Sequence, residues 1–302
     1  MNKKNIYALV ITILLVSLIF TFINNKNKKI DVENKEKLSI VTTFYPINIM
    51  IRNITKDAKD IEVVNLAEQN TGCIHNYTLS TSDMKKIEKA DILIENGMGL
   101  ESFIEKAINL NRDIKIIDSS ENITNTINKN DEINPHIWTS VENNIAQVQN
   151  IGNKLIEIDS KNKEIYIKNV DEYTNKLMNL RNKYAQELEK LKNTKVICLD
   201  ESISYLAKEI GLDVFNIEKG HDENNLSAEE IKKITNMMKE ENIKIILVEK
   251  DEVAKEAKIL EKETGAKIYA LESGLYGEYE NDAYIKIMEN NLETLKEIKE
   301  AK

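Results

Sequence analysis

Proline and glycine are nearly missing from this sequence, with 2 and 9 residues in 302, and only three histidines and two cysteines occur. So few backbone breakers, beside 31% charged residues, exclude a disordered chain and describe a helix-rich α/β protein. A concentrated basic face is missing too. The formal net charge is −9 with lysines scattered among acids, which argues against nucleic acid as a partner. No helix-borne H-E-x-x-H pair with a built-in base is present, which speaks against a zinc hydrolase. After the N-terminal segment no apolar run is long enough for a membrane helix.

What is there begins at that segment. Ile6 to Ile23 carries no charge and has about the 18 to 20 residues that cross a hydrocarbon core, with lysines on both flanks. The run holds no lipid-accepting cysteine, and no small-x-small cleavage site follows it. It reads as an uncleaved signal anchor, a transmembrane helix holding the body at the cell surface, outside the cytoplasm. The alternative is a cleaved signal peptide and a secreted body. Asn25 to Lys37 is a polar tether.

Beyond the tether, β-branched runs alternate with helical spacing. Ser39–Phe44, Ile61–Leu66, Ile92–Ile94 and Lys115–Asp118 read as strands, and Ile47–Ile54, Ser80–Ala90 and Leu100–Ile108 as helices. Ser80 and Asp83 form a capping pair. Glu121 to Asn134 is polar and patternless. From Val141 to about Asn193 apolar residues keep helical spacing, giving one shorter and one long helix. The alternation then resumes, with strands ending at Leu199, Ile217, Val248 and Leu271 and a capping box at Ser227–Glu230. The fold class expected is α/β, two lobes with parallel-type sheets joined by a long spine helix. The divisions are 1–37, an anchor or signal segment plus tether; 38–140, an N-terminal lobe; 141–193, the spine; and 194–302, a C-terminal lobe.

Open parallel sheets bind ligands beyond the carboxyl ends of their strands. That rule selects His75, in the loop after Leu66, and His136, in the loop leading to the spine. It also selects Asp200 and Glu201 after Leu199, and Glu272 after Leu271. Two imidazoles from one lobe and two carboxylates from the other make a mixed site for a divalent transition ion in the cleft. Four protein ligands with no water-activating base describe a carrier rather than a catalyst. Each residue also has a plain structural reading. A loop histidine is commonly just a surface residue, and His221 is left with that reading. Asp200 suits the N-cap of a helix from Ile203, and Trp138 suits core packing.

The motifs Thr42-Thr43-Phe44-Tyr45-Pro46, Gly72 to Tyr77, Asn96-Gly97-Met98-Gly99-Leu100-Glu101 and Pro135-His136-Ile137-Trp138 stand in series. So do Tyr205-Leu206-Ala207, Glu263-Thr264-Gly265-Ala266, and Tyr284 with Met288, Asn291 and Leu292. Together, over residues 38 to 300, they resemble the zinc- and manganese-binding family of ABC-transporter solute-binding proteins. The resemblance implies two lobes on a long helix, limited hinge motion and delivery of a bound ion to a membrane permease. Its ligand positions fall on His75, His136, Asp200 and Glu272. The last two depart from the family's usual residues, histidine or glutamate for the third ligand and aspartate for the fourth, so Glu201 is kept as a substitute for Asp200. The two carboxylates harden the donor set toward Mn²⁺, while intrinsic affinity order favours Zn²⁺. The partners implied are a divalent ion, zinc or manganese, and an ABC permease; the chain is expected to be monomeric and to have no enzymatic activity. The altered ligands also admit a surface adhesion protein with weakened metal binding. Cys73 and Cys198 each stand two residues before a proposed ligand, so a soft sulfur donor or a disulfide is a further expectation beside plain burial.

Overall fold

The computed structural model describes residues 37–67, 74, 77–109, 111, 113–129, 132–215, 217, 226–250 and 255–298. The anchor segment, Cys73, His75 and His221 lie outside the described residues. Among those described, no helix is long and apolar enough to cross a membrane.

In the first sheet, the β-branched runs at its centre become strands buried on both faces, while those at its edges are partly exposed. Ile40, Val41, Ile92, Leu93 and Ile94 are all within 1% exposure. The first sheet holds β1 (Leu38–Thr42), β2 (Ile61–Asn65), β3 (Ile92–Glu95) and β4 (Lys115–Asp118) in the order β2-β1-β3-β4. Helix α1 (Tyr45–Ile54) starts on Pro46, whose fixed φ suits a first helical turn, and is buried almost all round. Helix α2 (Thr81–Lys89) opens on the reciprocal capping box of Ser80 and Asp83. The expected helix from Leu100 is shorter, a 3₁₀ turn Ser102–Ile104 running into α3 (Glu105–Ile108). Gly97, Met98 and Gly99 all have positive φ, and this turn delays the helix. The stretch read as patternless contains a small antiparallel hairpin, β5 (Asn128–Lys129) and β6 (Glu132–Ile133).

The spine is α4 (Val141–Ile158) followed by α5 (Lys163–Glu187), 25 residues or roughly 37 Å long. Tyr166, Asn169, Tyr173, Leu177, Leu180 and Tyr184 form its buried stripe. A Cβ on Gly152 of α4 would stand 2.4 Å from Val170 of α5, so the two helices pack as closely as a glycine permits. The second sheet holds β7 (Lys195–Cys198), β8 (Asp213–Phe215), β9 (Ile245–Glu249) and β10 (Lys267–Leu271) in the order β10-β9-β7-β8. Its helices are α6 (Ser204–Glu209), α7 (Ala228–Glu240), α8 (Lys255–Thr264) and α9 (Ala283–Lys296). Ser227 and Glu230 close the expected capping box on α7.

Counted from its own first strand, each sheet reads 2-1-3-4. The pairings β1–β3, β3–β4, β7–β8, β7–β9 and β9–β10 are parallel. Each lobe therefore has its strand-order reversal between its first and third strands, where an open α/β sheet presents its crevice. Helix α5 joins the lobes: Asn169 donates to the carbonyls of Ile54 and Lys56 at the end of α1, and Tyr184 donates to Met288 of α9. Ser39–Lys302 packs as one unit.

Candidate metal centre

The first lobe's crevice is built around a carboxylate that sequence reasoning passed over. Glu101 is buried where β1 and β3 end, accepting from Thr43 Oγ1 (2.9 Å), Asn96 N (2.6 Å) and Gly97 N (3.1 Å). Burial pushes its carboxyl up to about 8 against these donors, which favour the ionised form. Asn96 passes the order on: its amide donates to the Pro135 carbonyl at 2.9 Å, and its Oδ1 accepts from Gln147 of α4. The residue preceding His136 is thereby fixed to the end of β3.

His136 itself is 6% exposed. Asn134 Oδ1 accepts the His136 backbone N–H at 3.0 Å and faces ring Nδ1 at 2.7 Å. An amide oxygen can only accept, so Nδ1 is the donor in this contact and Nε2 is the ring nitrogen left to face a metal. Metal-ligating imidazoles are commonly oriented by this kind of outer hydrogen bond. The same Asn134 reaches across to the second lobe, where its Nδ2 donates to the Glu201 carbonyl (2.9 Å) and its carbonyl accepts from Tyr205 Oη (2.7 Å). Glu209 of α6 adds a further tie, capping the N-terminus of α4 by accepting from Val141 N and Glu142 N.

Asp200 stands two residues beyond the end of β7, and its Oδ1 accepts from Ser202 N and Oγ. It does cap, as its structural reading held, though it caps the 3₁₀ turn Glu201–Ile203 rather than the helix. A carboxylate that caps with one oxygen retains a second for other work. Glu272 leaves β10 with its backbone held at both ends by Asn291 of α9, N to Oδ1 at 2.8 Å and Nδ2 to O at 2.7 Å. Its carboxylate Oε1 meets Lys250 Nζ at 3.2 Å and Asn290 Nδ2 at 3.5 Å.

Trp138 closes the arrangement. It is fully buried, edge-on to Phe44 at 4.9 Å, and its Nε1 donates to the Ser273 carbonyl at 2.9 Å. Its own carbonyl accepts from Tyr284 of α9. The five residues Asn134–Trp138 thus fasten onto the end of β3, the loop holding Asp200 and the residue next to Glu272. From Ser273 the chain returns to the first lobe, where Tyr45 Oη donates to the Glu278 carbonyl and Asn53 to that of Asn281. A Cβ at Gly277 would stand 2.4 Å from Tyr45 Oη, so only glycine fits this crossing.

The sequence pattern described as zinc-uptake complex component A, periplasmic, matches residues 40–298. The chain belongs to that family. The high-affinity zinc uptake system protein ZnuA of Bacillus subtilis is 29% identical over 294 residues, 90% of this chain and 91% of that one. The manganese ABC transporter substrate-binding lipoprotein PsaA of Streptococcus pneumoniae is 26% identical over 285 residues, 89% and 91% of the two chains. Among solved structures, the nickel complex of FpvC from Pseudomonas aeruginosa superposes with a TM-score of 0.77 at 28% identity, over 86% of this chain and 96% of that one.

Within this ZnuA-type frame, His136, Asp200 and Glu272 stand on loops that the Asn134–Trp138 segment touches or adjoins. His75 lies outside the described residues. Among the described residues no three His, Cys, Asp or Glu side chains gather closely enough to hold a metal ion. Cys198 is a free buried thiol, so the disulfide expectation does not hold; burial, with the Asp200 charge beside it, pushes the thiol up to about 12. What sequence reasoning missed were the fasteners Glu101, Asn134, Glu209 and the Trp138 N–H. Asn134 and Trp138 had a signal in their place beside His136, and Glu101 in closing the motif Asn96–Glu101; Glu209 had none.

Proposed function

We propose that the chain is an extracytoplasmic solute-binding protein that captures one divalent transition metal, zinc or manganese, and hands it to an ABC importer. The observation that carries this reading is the Asn134–Trp138 segment, which orients a buried imidazole and reaches both carboxylate-bearing loops of the other lobe. His75, His136, Asp200 and Glu272 are the proposed ligands, with Glu201 as a substitute for Asp200. Two nitrogens and two oxygens suit a borderline or moderately hard divalent ion. Four protein donors make a cargo site, since a catalytic metal keeps a position open for water. Family membership and the zinc and manganese named for its relatives support the same reading.

The test is thermal unfolding of metal-stripped protein with added Zn²⁺ or Mn²⁺. At a hundredfold excess over the dissociation constant, the stability gain expected is about 2.7 kcal/mol. The gain fades as pH falls through the imidazole range, because protons compete for the nitrogens. No shift with any divalent ion would instead support a surface adhesion protein on the same fold.

A further inference from the structure

The last rung of the β9–β10 ladder pairs Leu271 with Glu249. The next residues, Glu272 and Lys250, therefore leave two neighbouring parallel strands side by side. Glu249 is buried and accepts from Ser273 N at 2.8 Å, locking the two strand ends together one residue to either side. The contact of Lys250 Nζ with Glu272 Oε1 at 3.2 Å follows from this register and not from the reach of a long side chain alone. Asn291 holds the Glu272 backbone, so the carboxylate has little freedom to leave the ammonium by moving the chain.

We infer that Lys250 is a built-in competitor of the cargo metal, an ammonium stationed on the Glu272 carboxylate that a captured ion must displace. This rests on Glu272 being a ligand. A divalent ion and a lysine ammonium seek the same oxygens, and the ion gains less from a carboxylate whose charge is already balanced. Lys250 thus sets the affinity of the second lobe's half of the site and favours release over retention, as a carrier requires. The pair is partly exposed, so its effect is modest and weakens with salt.

The experiment measures Zn²⁺ and Mn²⁺ dissociation constants of the full chain by chelator competition, for the unaltered protein, K250Q, E272Q and the double variant. K250Q is expected to bind about two- to fivefold more tightly at low ionic strength, the range an exposed ion pair supports. A damaged fold does not produce a gain. E272Q is expected to bind more weakly, and K250Q to add nothing in the E272Q background. If E272Q weakens binding while K250Q leaves it unchanged or weaker, Glu272 is a ligand and Lys250 does not compete. A K250Q gain that persists without Glu272 also overturns the inference, reducing it to general charge. If E272Q binds like the unaltered chain, Glu272 is no ligand and both ideas fall together.

Discussion

His136→Ala is expected to weaken metal binding by at least about a hundredfold, since loss of an outer-shell partner alone can cost that much. At a metal concentration that gives the unaltered protein 2.7 kcal/mol of added stability, a hundredfold loss leaves only about 0.4 kcal/mol. Metal-free stability should fall far less, because the side chain's polar tie to Asn134 is one contact among several that hold the loop. Urea unfolding with and without metal separates the two effects. His221→Ala is the control and should leave affinity unchanged; equal losses from both would remove His136 from the ligand set.

Trp138→Ala should give the largest loss of metal-free stability among single changes near the cleft, about 3 to 5 kcal/mol, because a fully buried indole leaves a large cavity. Trp138→Phe divides that loss by mechanism. A phenyl ring keeps the edge contact with Phe44 but leaves the buried Ser273 carbonyl without its donor, at a cost of about 1 to 3 kcal/mol. Ser273 adjoins Glu272, so the Phe variant should also bind metal about tenfold more weakly, as outer-shell substitutions do. Equilibrium unfolding and chelator competition on both variants check this. A Phe variant with unaltered affinity would show that the Trp138 tie stabilises the fold without positioning Glu272.

The strand and helix alternation was legible because β-branched runs such as Ile92–Ile94 are buried on both faces and need no partner pattern to declare themselves. Helix starts at Ser80 and Ser227 were legible because a capping box is local chemistry. The turn Asn96–Gly99 was legible from its glycines, but not how far it delays the helix, since that depends on Glu101 folding back onto Asn96 and Gly97, a tertiary contact. Nor was the β5–β6 hairpin, whose two-residue strands are too short to show alternation. The candidate ligands emerged from their position after strands, but periodicity says which face is buried and not which polar atoms meet there. That is why Asn134 as an orienting group, Glu209 as a cap and Lys250 as a counter-cation required coordinates.

The central claim is that side chains from both lobes share one ion. Crystals grown with Zn²⁺, measured on either side of the zinc absorption edge, test it most directly. A single anomalous peak about 2.0 to 2.2 Å from nitrogens of His75 and His136 and oxygens of Asp200, or Glu201 in its place, and Glu272 is the expected result. A peak bound by residues of one lobe alone, or none near His136, would contradict it.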